Sequence, residues 1–139
     1  DHNIQVAGWA RTIRMGGKDF CFIELNDGSC QSSLQVVVDS SMPNFAQVSK
    51  QATGASFKAV GKLIRSPAKG QLVELQVCCP ENHKIKVIGE CPGDSYYLAK
   101  KKHTNEYLRD IAHMRGRTKT ISAVMRIRNN LAYATHRFF

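Results

Sequence analysis

Two short apolar runs carry side chains with chemistry to offer. In "FCFIEL" (20–25) and "LQVVVD" (34–39), alternation puts Cys21, Ile23 and Leu25 on one face of a first strand. Leu34, Val36 and Val38 share one face of a second, which leaves Phe20, Phe22, Glu24, Gln35 and Val37 pointing the other way. A face that met only water would carry Lys, Thr or Ser. Two rings, a carboxylate and an amide instead suit a flexible nucleic-acid strand. Every base has a face that stacks on an aromatic ring, at roughly 1–3 kcal/mol per base. An amide both donates and accepts along a base edge. Arg14, just before the "MGGK" turn, adds a planar donor fork for a base oxygen or a phosphate. The same alternation also fits a Phe20 or Phe22 packed under a loop or against another domain.

Metal and disulfide chemistry are not signalled in the same way. Cys21, Cys30, Cys78, Cys79 and Cys91 include no Cys-x-x-Cys pair, and the five histidines are not at zinc-ligand spacing relative to them. No metal ligands are expected. The odd, unpatterned count of five thiols suits a reducing compartment better than a disulfide framework. No apolar run approaches 18 residues, so no membrane span is expected. "DHNIQVAGW" is already strand-like, which leaves no visible signal or transit peptide.

The elements that must position these residues follow from period and turn signals. "IQVAGWARTIR" (4–14) predicts a long curved strand with a bulge or bend at Gly8. "NDGS" is a turn between the two runs above, with Asp-Gly supplying positive φ. "MPNFAQVSKQA" (42–52) predicts a short helix with Pro43 near its start and Phe45, Val48 and Ala52 on one side. "ASFKAVGKLI" (55–64) and "LVELQV" (72–77) predict two further strands, the latter with Val73, Leu75 and Val77 inward and Glu74 outward. "HKIKVIG" (83–89) extends the sheet. Three strands, a helix and two strands is the element order of an OB-fold, whose outer face on strands 2 and 3 binds oligonucleotides. An SH3-like barrel and a small sandwich share parts of this pattern.

The rest of the chain is a different object. The protein has 139 residues and a net charge of +9, with 42% hydrophobic and 22% charged residues, a globular composition with a basic excess. Residues 1–90 hold 10 Lys+Arg against 8 Asp+Glu, whereas residues 91–139 hold 10 against 3. Such asymmetry favours a polyanionic partner. "ECPGD" and the triplet Lys100, Lys101 and Lys102 read as a linker. Thr104 can cap a helix running to about Met114, with Tyr107, Leu108 and Ile111 on its buried side. A long helix over about 120–138 carries a narrow stripe of Val124, Ile127, Leu131, Ala134 and Phe138, as in a helix packed on one partner. Ending on "RFF" without a cap, it reads as cut short within a second domain.

These segments also resemble a known family. "GWARTIR", "FIELNDGS", "LQVV", "SPAKGQLVEL" and "KKKHTNEYLRDIAHMR" stand in an order and spacing similar to the N-terminal anticodon-binding domain and hinge of asparaginyl-tRNA synthetases. The likeness runs from about Ile4 to Phe139. It departs at Gly116, where "RGRT" replaces "RPRT", at "YYL" (96–98), and at "CCPENH" (78–83), which looks like a small insertion.

The resemblance implies a mainly β chain. A five-stranded OB-fold Greek-key barrel with one inserted helix (1–90) would be followed by a helical hinge (91–118). The start of a class II α+β catalytic domain (119–139) would complete it. It implies that Phe22 stacks on the middle uridine of an anticodon, that Gln35 and Arg14 contact the same base, and that Glu74 helps read its neighbour. Lys100, Lys101 and Lys102 would hold tRNA phosphates. The parent would be an asparagine–tRNA ligase using ATP and magnesium, a homodimer through its catalytic domain, acting on tRNA(Asn) in the cytoplasm or an organellar matrix. No adenylate-forming residue falls within this chain, so the fragment would bind and not catalyse. The rival readings are a stand-alone single-strand-binding OB module and a synthetase paralogue without catalysis.

Overall fold

The computed structural model describes residues 3–93, 95–98 and 101–139, and divides into two compact units, Asp1–Tyr96 and Tyr97–Phe139. In the first, β1 (Asn3–Gly16), β2 (Phe20–Asn26), β3 (Leu34–Asp39), α1 (Phe45–Ser49), β4 (Ser56–Arg65), β5 (Val73–Val77) and β6 (Lys84–Gly89) follow one another. The sheet order is β1-β2-β3-β5-β4-β6, and a β1–β4 pairing closes it into a barrel.

β5 and β6 act as one strand in two pieces. Gln76 pairs with Lys62 of β4, and after the 78–83 excursion Lys84 pairs with Val60 of the same strand. The expected five-stranded Greek-key barrel with its inserted helix is therefore the fold, its fifth strand interrupted where "CCPENH" reads as an insertion.

The alternation in β2 and β3 holds. Cys21, Ile23, Leu25, Val36 and Val38 lie in the core with Phe57, Leu75, Val77 and Ile85. Burial in the core pushes the pKa of the Cys21 thiol up to about 11 by desolvation. Val37 departs from its expected exposure: it is 9% exposed although it faces outward, held between Phe22 of β2 and Gln76 of β5. Val73 departs the other way. As the first residue of β5 it is exposed, and only Leu75 and Val77 fill the barrel.

The bend in β1 is not at Gly8. The register slips between Ala10 and Thr12, where the strand leaves β4 and takes up β2. Gly8 has another use: a Cβ there would sit 2.8 Å from the Asn26 carbonyl oxygen, so only glycine lets the end of β2 cross so closely. The predicted 42–52 helix shrinks to Phe45–Ser49, and Asn44 at its N-cap donates its side-chain amide to the Ile85 carbonyl, making no cap bond. Met42 and Val48 still reach the core.

The second unit holds α2 (Asn105–Asp110), a 3-10 turn at Arg115–Arg117 and α3 (Lys119–Phe138). Thr104 Oγ1 caps α2, accepting from Tyr107 N at 3.3 Å, as its position predicts. Leu108 and Ile111 are buried. Tyr107 is not; its ring stacks on His103 and its hydroxyl donates to the Tyr97 carbonyl at 3.0 Å. On α3, Val124, Ile127, Leu131 and Phe138 are all exposed, so among the described residues nothing covers the stripe. No helix among the described residues is long and apolar enough to cross a membrane.

Candidate nucleic-acid interface

Two rows of outward side chains cross the barrel on β1, β2, β3 and β5. The register aligns Arg14 with Phe22, Phe22 with Val37 and Val37 with Gln76. One row along, Thr12 meets Glu24, Glu24 meets Gln35 and Gln35 meets Glu74. The first row supplies an aromatic ring and a cation, the second a line of hydrogen-bonding groups. Cross-strand neighbours on one face lie close enough to touch.

Phe22 is half-buried, its ring lying against the backbone of Gly16, where any Cβ would strike it. The guanidinium of Arg14 covers the ring at 4.7 Å from its centroid, within cation–π range. Phe20, two residues back, is exposed on the same face. The ring thus has glycine backbone against its edge and a guanidinium over a face.

Glu74 is outward in register yet only 5% exposed. Its Oε2 accepts from Gln35 Nε2 at 3.3 Å, Ser66 Oγ at 3.1 Å and Gln71 Nε2 at 3.1 Å. Gln71 Nε2 also lies 2.8 Å from Ser66 Oγ, which accepts from Ala68 N at 3.2 Å. The β4–β5 turn "SPAKGQ" therefore folds over the carboxylate and buries it in hydrogen bonds. Because a carboxylate only accepts, Gln35 must turn its Nε2 toward it. The other end of the second row is similar: Thr12 Oγ1 donates to Glu24 Oε2 at 3.2 Å.

The four barrel residues singled out in the sequence thus share one face, and the structure pairs them as Arg14 with Phe22 and Gln35 with Glu74. Lys101 and Lys102 are exposed in the second unit, and Lys100 lies outside the described residues. Alternation alone misses Ser66, Gln71 and Gly16. Their signal is the polar turn directly before "VEL" and the glycine beside the aromatic run. A groove of about 550 Å³ opens beside Gln71, between the β4–β5 turn and the β2–β3 loop, with Asn26, Leu34 and Leu72 in its walls. Asn26 shapes that loop, donating to the Ser32 carbonyl at 2.9 Å and accepting from Gly28 N at 2.8 Å.

Comparison with known proteins adds three findings. Residues 4–87 match a family model described as an OB-fold nucleic acid binding domain. The chain is 46% identical over 139 residues to an asparagine–tRNA ligase of Protochlamydia amoebophila, covering 99% of this chain and 28% of that protein. It is 49% identical over 132 residues to one from Geotalea uraniireducens, covering 95% and 27%. The chain thus spans little more than a quarter of these relatives' length. Among solved structures, the asparaginyl-tRNA synthetase of Pyrococcus horikoshii superposes with a TM-score of 0.82 at 21% identity, over 99% of this chain and 31% of that one. At that identity the likeness speaks to fold alone.

Proposed function

The chain belongs to the family of OB-fold nucleic acid binding domains, and from that premise we propose that it reads a tRNA anticodon loop as the N-terminal part of an asparagine–tRNA ligase. The observation that carries this reading is the Gln35 amide pinned by Glu74 on the same face as the Phe22 ring. The ring offers a stacking surface to one base. Arg14 leaves the ring to admit it, giving up a cation–π interaction of roughly 0.5–1 kcal/mol at an exposed site. It regains a charge-assisted bond to a phosphate or base oxygen.

Glu74 sets the sign of the base reading. With one Nε2 hydrogen committed to the carboxylate, Gln35 offers its carbonyl and its second N–H to the base. Uracil presents an N3–H donor beside an O4 acceptor, the complement of that pair. Cytosine presents the reverse. To accept cytosine the amide would have to turn over and place its oxygen against the carboxylate, which is repulsive.

In this reading the parent enzyme joins asparagine to tRNA(Asn) with ATP and magnesium, as a homodimer through its catalytic part, and this chain supplies binding alone. The test is a titration with anticodon stem-loops that differ only in uridine or cytidine at the middle position, at matched salt. Uridine should bind about tenfold tighter, roughly one good hydrogen-bond pair. Equal affinities would instead support a stand-alone single-strand binder.

A further inference from the structure

The excursion that splits the fifth strand gathers a second set of functional groups. Cys78 and Cys79 leave β5, and His83 precedes β6. The Cys78 and Cys79 Sγ atoms are 3.8 Å apart and Cys78 Sγ is 3.9 Å from His83 Nδ1. All three ligand atoms lie within 4.8 Å of one another. We propose that Cys78, Cys79 and His83 form a binding site for a soft, thiophilic cation of the zinc type, a clip across the break in the barrel's fifth strand.

The geometry supports this on three counts. Zinc–sulfur and zinc–nitrogen bonds of about 2.3 and 2.0 Å at tetrahedral angles put two sulfurs ~3.8 Å apart and a sulfur ~3.5 Å from a nitrogen. The sulfur–sulfur separation of 3.8 Å matches the first; Cys78 Sγ at 3.9 Å from His83 Nδ1 is somewhat longer than the second, and with all three atoms within 4.8 Å of one another the imidazole has a short closing movement to make. Next, His83 is buried and its Nδ1 is the unprotonated ring nitrogen: it accepts from Cys78 N at 3.1 Å and Cys79 N at 3.3 Å, so its lone pair is held by these amides beside the thiols and must be released to a metal. On binding, those amides give up Nδ1 and can donate to the thiolates formed. Finally, the loop is closed by backbone bonds from His83 N (2.7 Å) and Asn82 N (3.0 Å) to the Cys79 carbonyl, so little chain entropy remains to be lost. Two thiolates and an imidazole select zinc-like ions over magnesium or calcium. Binding releases the thiol protons to solvent and leaves the fourth position to water.

The site escapes sequence reading because adjacent cysteines break the usual Cys-x-x-Cys spacing. The experiment titrates the reduced, metal-free chain with cobalt(II) as a spectroscopic stand-in and then displaces it with zinc. Wild type and the Cys30→Ser and Cys91→Ser controls should show a sulfur-to-cobalt charge-transfer band saturating at one equivalent. Cys79→Ser, whose side chain is exposed and whose fold is not at stake, should lose about half of that band and bind at least tenfold more weakly. Zinc should raise the melting temperature of wild type and controls but not of Cys79→Ser. No band in the wild type, or an unchanged band in the Cys78→Ser/Cys79→Ser double variant, overturns the proposal. Neither outcome depends on whether the outer face binds RNA.

Discussion

In the proposed reading Glu74 acts on recognition through Gln35, whose amide its Oε2 holds at 3.3 Å. Replacing it by Gln keeps shape and hydrogen bonding but removes the reason for Gln35 to face one way. We expect Glu74→Gln to keep binding to the uridine loop within a few fold, while the preference over cytidine collapses to near unity, measured by parallel titrations. Phe22→Ala should weaken loop binding by about 1–3 kcal/mol. Its ring is half-buried on the outer face, so thermal unfolding should change little by comparison; a large drop in melting temperature with unchanged binding would make it a packing residue. Arg14 is singled out by its place before the "MGGK" turn, and alternation makes Phe22 and Gln35 legible. The burial of Glu74 is not, because Ser66, Gln71 and Gln35 reach it only through a turn and a strand register that one strand's pattern does not contain.

At the scale of elements, period and turn chemistry locate every strand, and errors gather where tertiary structure overrides local pattern. Glycine weakens a strand, so Gly8 reads as a bend, whereas its absent Cβ makes room for the Asn26 carbonyl. Val37 reads as wet because neighbouring strands are invisible in one strand's alternation. The β2 core face carries a pH signature. Cys21 titrates at about 11 in the folded barrel against 9.0 when solvated. Stability from this thiol is thus fully present below pH 9 and is lost as pH rises from about 9 toward 11, because the unfolded chain sheds the proton first. Urea unfolding at about pH 8 and about pH 10.5 should show this fall, and Cys21→Ala should remove that part of the pH dependence. A wild type and variant with the same slope between these pH values would contradict it.

Over the whole chain, the cationic excess lies outside the barrel that carries the proposed base-reading face. The barrel residues 1–90 are nearly balanced, and the excess of cations lies in 91–139, with Lys101 and Lys102 exposed. Lysine ammonium groups lack a planar fork, so these should hold phosphates and read no base. Replacing Lys100, Lys101 and Lys102 with alanine should weaken full-length tRNA binding about equally for matched and mismatched anticodons. The slope of log K against log salt should become shallower by roughly 0.7–0.9 for each phosphate no longer neutralised. An unchanged slope would show these lysines to be a solvated linker. The closure of the barrel has a consequence in time. β3 and β5 run parallel, and the bond from Gln35 to Glu74 joins residues 39 apart. β1 waits likewise for β4, so neither seam can form from the first hairpins alone. On a ribosome that adds about 5–20 residues per second, the β1–β2–β3 meander must persist for seconds with open edges before its partners emerge. During that interval the outer-face rings and the unfinished core are exposed together, and the barrel can close only once β4 and β5 have arrived.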